Sequence, residues 1–120
     1  MRTETANTAG EMAKRVLALR TKSAIKDHEL AALLGARPET VSRWNHDRAY
    51  PRVRTEKAFR DLEYIIGRLA DCYQPNGVRQ WLFEPQKRLG GISPADLIRS
   101  GRIDDVMRLA GQLRDAAAQR

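Results

Sequence analysis

A chain of 120 residues is the size of one domain, or of two very small ones that share a helical interface. A formal net charge of +7 favours a polyanionic partner, most simply nucleic acid. The single cysteine, Cys72, excludes an internal disulfide framework and a zinc finger, and no apolar run approaches the roughly 20 residues that span a bilayer.

The first ten residues, Met1 to Gly10, carry three threonines and lack the apolar core of a signal peptide. They predict a flexible tail on a cytoplasmic protein with no membrane partner. From Glu11 to about Arg20, Met12, Ala13, Val16 and Leu17 recur at helical spacing. A second helix fits Lys26 to Leu34, with Leu30, Ala31, Leu33 and Leu34 inward, and Gly35 stops it. A third begins at Pro38, which suits a first helical turn because that position needs no backbone donor, and runs to about Asp47.

Tyr50, Pro51 and Arg52 interrupt the pattern, and a long helix follows from about Thr55 to Tyr73. Its stripe of Phe59, Leu62, Ile66, Leu69 and Tyr73 is the seam of a helix packed lengthwise on a partner, widened by Ile65 and Cys72. Cys72, beside Leu69, Ala70 and Tyr73, reads as a buried small hydrophobe. Glu56 and Arg60 are one turn apart and can pair. Short helices are predicted from about Asn76 to Phe83 and, after the Ser93-Pro94-Ala95-Asp96 start, to about Arg99. A last helix from about Arg102 repeats the seam with Ile103, Val106, Ala110, Leu113 and Ala117. β-branched residues never alternate over five positions, so the expected class is all-α. The expected organisation is a tail over residues 1–10, a helix-turn-helix domain over 11–54, and a small helical domain over 55–120 reached through the long helix. Two apolar seams of this length also predict a homodimer.

Residues Asp27 to His46 carry the first motif. Gly35 supplies the tight turn, Ala31 four residues earlier permits a close helix crossing, and Leu30, Leu34, Val41 and Trp44 sit where the second helix rests on the first. The stretch HELAALLGARPETVSRW resembles the Xre/Cro-like repressor family. That resemblance implies a recognition helix exposing Arg37, Glu39, Thr40, Ser42, Arg43 and His46 to operator DNA. A guanidinium can bond both acceptors on the major-groove edge of guanine, which makes Arg43 the candidate base reader; Arg48, Arg52 and Arg54 are candidate phosphate clamps. Charge supports the placement. Arg37 to Arg54 holds five arginines against Glu39 and Asp47, whereas residues 55–120 hold eleven basic and nine acidic residues, a net of +2. His28 and His46 have no cysteine or carboxylate cluster beside them, so they read as surface or phosphate-contacting residues and not as metal ligands.

The stretch RQWLFEPQKRLGGISPADLIRSGRIDDV reads as a compact helical hairpin. Trp81 and Leu82 anchor a helix that Pro85 ends, Leu89 returns the chain to the core, Gly90 and Gly91 permit positive backbone angles, and Pro94 restarts a helix carrying Leu97. Together with Asp96, Ile98, Gly101 and Val106, these residues resemble the toxin-binding domain of Xre/MbcA/ParS-type antitoxins. Gln86 departs from the pattern, which usually has asparagine after the proline at a local turn contact. The resemblance implies an antitoxin that dimerises, represses its own operon and covers the active site of a RES-domain toxin that destroys NAD. On that basis the C-terminal segment with Arg114, Asp115, Gln119 and Arg120 is the candidate toxin-binding tail. A stand-alone helix-turn-helix regulator with a C-terminal dimerisation domain is the alternative, and a protein-interaction module that no longer binds DNA is a third.

No enzymatic role is expected, and neither cofactor nor metal. Gly90-Gly91 lacks the Lys-Ser or Lys-Thr that completes a phosphate loop, and no serine or cysteine has a plausible histidine partner. Asp104 and Asp105 read as favourable charges at a helix start.

Overall fold

The computed structural model describes the backbone of residues 3–118 and the side chains of residues 10–113. Its helices are α1 (Thr3–Ser23), α2 (Asp27–Leu34), α3 (Pro38–Asn45), α4 (Val53–Ala70), α5 (Pro75–Phe83), α6 (Pro94–Arg99) and α7 (Ile103–Ala118), with a 3-10 turn at Lys87–Leu89. Strand pairing among the described residues is limited to one isolated antiparallel bridge, Gln86 to Ile92, so the all-α expectation holds. None of the described helices is long and apolar enough to cross a membrane.

α1 starts at Thr3, eight residues before the expected Glu11. Nothing between the two positions stops a helix: no proline intervenes, and Gly10 costs only about 1 kcal/mol. Its inward face is Met12, Val16 and Leu19, whereas Leu17, expected inward, is 58% exposed. The helix closes on Ser23, whose buried hydroxyl donates to the Leu19 carbonyl at 2.7 Å and accepts the Ile25 N–H at 3.3 Å.

The turn between α2 and α3 is built as its residues require. Gly35 takes φ +69°, which side chains rarely adopt, and the Ala36 N–H returns to the Ala31 carbonyl at 2.9 Å. Ala31 is buried at the crossing, as are Leu30, Val41 and Trp44, and Pro38 opens α3. Asn45 Nδ2 donates to Asp27 Oδ2 at 2.9 Å and ties the end of α3 to the start of α2. α3 stops at Asn45, two residues before the expected Asp47, which itself adopts φ +58°.

α4 runs through the middle of the molecule with Phe59, Leu62, Ile65, Ile66 and Leu69 buried. It begins two residues earlier than expected, at Val53, and ends at Ala70, so Tyr73 falls beyond the helix and is 40% exposed. Cys72 is half-buried, not buried, for the same reason. The lengthwise partner of α4 is α7 of the same chain. Val106, Leu109 and Ala110 are buried, Arg68 Nη2 donates to the Gly111 carbonyl at 2.9 Å, and the Tyr64 hydroxyl lies where a Cβ on Gly111 would be 3.2 Å from it. The two seams therefore satisfy each other within one chain, and the inference from them to a second copy falls away.

One hydrophobic core links both halves, from Met12 through Phe59 to Ala110. α1 lies against α3, α4 and α5, and α2 lies against α3, α4 and α6. No seam in the core marks the expected boundary between residues 54 and 55.

Candidate functional site

α3 presents its inner face, Val41 and Trp44, to the core, and its outer face to solvent. Arg37, Glu39, Ser42, Arg43 and His46 are exposed on it, and Thr40 is half-buried. Arg37 and His46 are the caps of the helix; the His46 ring Nδ1 lies 2.8 Å from the Ser42 carbonyl oxygen, which fixes the imidazole against the last turn. Arg48, Arg52 and Arg54 are exposed on the loop after α3 and at the start of α4, where Arg52 is the N-cap. The nine candidate DNA-binding residues thus lie between α3 and the first turn of α4, eight of them exposed and Thr40 half-buried.

The ion pairing of this stretch differs from that of most arginines elsewhere in the described residues. Arg15, Arg20, Arg60, Arg79, Arg99, Arg102 and Arg108 each pair with a carboxylate. Arg37, Arg43, Arg48, Arg52 and Arg54 have no carboxylate partner among the described residues. Unpaired guanidinium groups keep all their donors for an incoming anion, without first breaking an internal ion pair.

Arg15 holds this surface in place from behind. Its Nε and Nη2 donate to Glu63 at 3.0 and 2.6 Å, and its Nη1 donates to Glu56 and to the Tyr50 hydroxyl, each at 3.3 Å. Its guanidinium also sits 5.1 Å from the Phe59 ring centroid. α1, α4 and the loop bearing Arg48 and Arg52 are joined by one side chain. Glu56 additionally receives Arg60, the pair expected from spacing, and its carboxyl is held below the usual range first by Arg60, with Arg15 adding to the effect.

A second ionic junction ties the two halves. Arg79 on α5 donates from Nη1 and Nη2 to the two oxygens of Glu29 on α2, both at 2.5 Å, and stacks 5.2 Å from the Phe83 ring centroid. Glu29 also accepts the Lys26 N–H at 2.8 Å, so one carboxylate caps α2 and receives α5. The Arg79 hydrogen bonds, helped by that backbone N–H, hold the Glu29 carboxyl at about 2, against an ordinary 4.5. A carboxyl lowered on folding stabilises above its unfolded pKa and loses that contribution as pH falls. The junction's contribution to stability is therefore complete above about pH 4.5 and lost as pH falls from there to about 2. Glu29→Gln should flatten the fall in unfolding free energy between pH 5 and 3 by about 1–2 kcal/mol, a value reduced for the solvent reaching Arg79. Urea titrations at the two pH values check this; parallel losses in wild type and variant would refute it.

In the C-terminal half, Trp81 and Leu82 on α5 are buried, Pro85 is exposed where the helix has ended, and Leu89 is half-buried. Gly90 and Gly91 take φ +73° and +81°, and Pro94 and Leu97 are buried in α6. The Ser93 hydroxyl accepts the Asp96 N–H at 3.1 Å and caps α6. Gln86, the departure from the family pattern, makes a turn contact of its own: its Nε2 donates to the Trp81 carbonyl at 3.1 Å, while its backbone pairs with Ile92 and Gly91. The longer side chain reaches back to the helix it follows. Of the candidate tail, Gln119 and Arg120 lie outside the described residues, and Arg114 and Asp115 are described only as helical backbone.

The arrangement, two short helices joined by a tight turn and a small helical unit set on one long helix, is that of an all-α protein. Residues 74–115 match the family model of the antitoxin Xre/MbcA/ParS C-terminal toxin-binding domain, a span that opens at the start of α5 and takes in most of α7. That match takes in the residues from Trp81 to Val106 that carry the resemblance read in the sequence. The chain is 28% identical over 81 residues to the mycobacterial cidal antitoxin MbcA of Mycobacterium tuberculosis strain H37Rv, covering 68% of this chain and 72% of that one. The MbcA of Mycobacterium bovis matches to the same extent. The crystal structure of the M. tuberculosis MbcT–MbcA toxin–antitoxin complex contains a chain of the same fold, with a TM-score of 0.74 and 24% identity, over 87% of this chain and 94% of that one.

Proposed function

We propose that this chain is the non-enzymatic antitoxin of a type II toxin–antitoxin pair. It binds a RES-domain toxin over its NAD-consuming active site and represses its own operon through α2 and α3. The observation that carries this reading is the match of residues 74–115 to a toxin-binding domain, on a chain that exposes, from α3 to the start of α4, five arginines without a carboxylate partner among the described residues. Co-expression tests it: the adjacent gene product should copurify with the chain and arrest growth when expressed without it. Free growth under the unaccompanied toxin would refute it.

Operator recognition runs through the outer face of α3. Arg43→Ala should cost about 1–3 kcal/mol of operator binding and relax preference at one base pair. Arg52→Ala should weaken all sequences alike and reduce the slope of log K against log salt by about one. Fluorescence anisotropy across a salt series separates the two, and wild-type binding by both variants would place the DNA elsewhere. Two copies would occupy half-sites about one helical turn apart, joined by surface other than the α4 and α7 seams.

Toxin inhibition involves the end of the chain, where Arg114 and Arg120 can pair with acidic toxin groups and the intervening alanines allow close approach. Removing residues 114–120 should leave operator binding intact and release toxicity on co-expression. Normal growth of cells carrying the truncated chain beside an active toxin would assign inhibition to the Trp81–Val106 region instead.

A further inference from the structure

A cleft of about 380 Å³ opens where the Lys87–Leu89 turn and α6 meet α7. Its floor is apolar, with Leu97 and Leu109 buried and Leu89 half-buried, and Gly90 leaves the rim without a side chain. Three arginines line it, Arg88, Arg102 and Arg108, against one acid, Asp105.

Asp105 organises two of the three. Arg102 Nε donates to its Oδ2 at 2.9 Å, and Arg108 Nη1 donates to its Oδ1 at 3.2 Å. One carboxylate thereby holds two guanidinium groups, one just before α7 and one on it, while cancelling only one of their charges. Arg88, on the opposite wall, has no carboxylate partner among the described residues. The lining keeps an excess of two positive charges over a leucine floor.

We propose that this cleft receives an acidic side chain of the toxin, an aspartate or glutamate on a segment flanked by apolar residues. The proposal rests on the antitoxin reading above and names a contact separate from the C-terminal tail. The leucine floor selects the occupant. A bare phosphate gains nothing by covering the half-buried Leu89, whereas a carboxylate on an apolar stem desolvates it while its oxygens meet a planar guanidinium fork. Arginine so placed, beside buried aliphatic surface, is the residue type that concentrates binding energy at protein interfaces. All the lining residues belong to the 74–115 segment.

The experiment is calorimetric titration of the full chain with the RES-domain toxin of the same operon, in a form inactivated at its active site. Combined Arg88→Ala and Arg108→Ala substitutions should weaken toxin binding at least about tenfold and flatten its salt dependence, with operator affinity unchanged. Arg88→Glu alone should weaken it further than Arg88→Ala. These residues are exposed, and an unaltered circular dichroism melt shows that the fold is intact. Toxin binding within twofold of wild type by the double variant overturns the cleft assignment. A loss of operator affinity with toxin binding retained overturns it in favour of nucleic acid. A wild-type chain that fails to bind the toxin overturns the antitoxin reading itself, a result distinct from either.

Discussion

Leu69→Asp is expected to leave the chain without a cooperative unfolding transition. Leu69 is fully buried on α4, in the core that α1 and α7 cover from two sides. The substitution removes a buried leucine side chain, which costs about 2–5 kcal/mol in large-to-small exchanges, and places a carboxylate in a fully buried apolar position. The sum is comparable to the roughly 5–15 kcal/mol that stabilises an ordinary domain. Had the α4 seam faced a second copy, the same change would yield a folded monomer. Because the seam faces α7 of its own chain, the expected product is unfolded chain, lacking helical ellipticity and sensitive to protease. A variant that melts cooperatively within a few degrees of wild type would show that Leu69 is not where the structure places it.

Trp44→Ala should be the most damaging of the neutral substitutions, at about 3–5 kcal/mol. The indole is almost wholly buried and meets the Phe59 ring edge-on, with centroids 6.3 Å apart at 89°. It is also the side chain by which α3 rests on α4, one residue along from Arg43. Operator affinity should therefore fall in Trp44→Ala even though no charge has been removed, and Trp44→Phe should recover most of both losses. Urea unfolding followed by far-ultraviolet ellipticity measures the first effect and anisotropy the second. A destabilisation below about 1 kcal/mol would contradict the packing described.

What could be read in advance was what local chemistry specifies. The Ala31, Gly35, Pro38 and Trp44 positions announce the turn between α2 and α3, because a small crossing residue, a left-handed glycine and a proline in the first helical turn each have one structural use there. The Ser93 cap and the paired glycines are legible for the same reason. The inward face of α1 was legible as well, though the expectation misplaced it: Met12, Val16 and Leu19 are spaced four and three apart, whereas Leu17 lies about 140° round the helix from Met12. Tyr73 continues the apolar spacing of α4 perfectly well; the helix ends before it because α5 has to start at Pro75. The junctions that hold the candidate sites escaped altogether. Arg15 finds Glu63 at a separation of 48 residues, and Arg79 finds Glu29 at 50, and nothing near either arginine in the chain signals its partner. The cluster of Arg88, Arg102 and Arg108 is likewise a product of the Gly90–Gly91 reversal, which brings the residues before it back beside α7.

The unbroken core from Met12 to Ala110 limits how this chain can be reassembled. In a string of independent modules, a recognition head can be exchanged while the other end is kept. Here a transplanted α5–α7 would have to present apolar surface that fits α1, α2 and α4, and an arginine at the position of Arg79 to meet Glu29. A mismatch there would open apolar surface of α4, which packs on both α5 and α7. Cutting the loop between Ala70 and Pro75 has the same outcome, since neither fragment keeps a closed interior. On the proposed function, DNA preference and partner preference would travel as one heritable block, and a chimera is expected to express only when its donors match along α4.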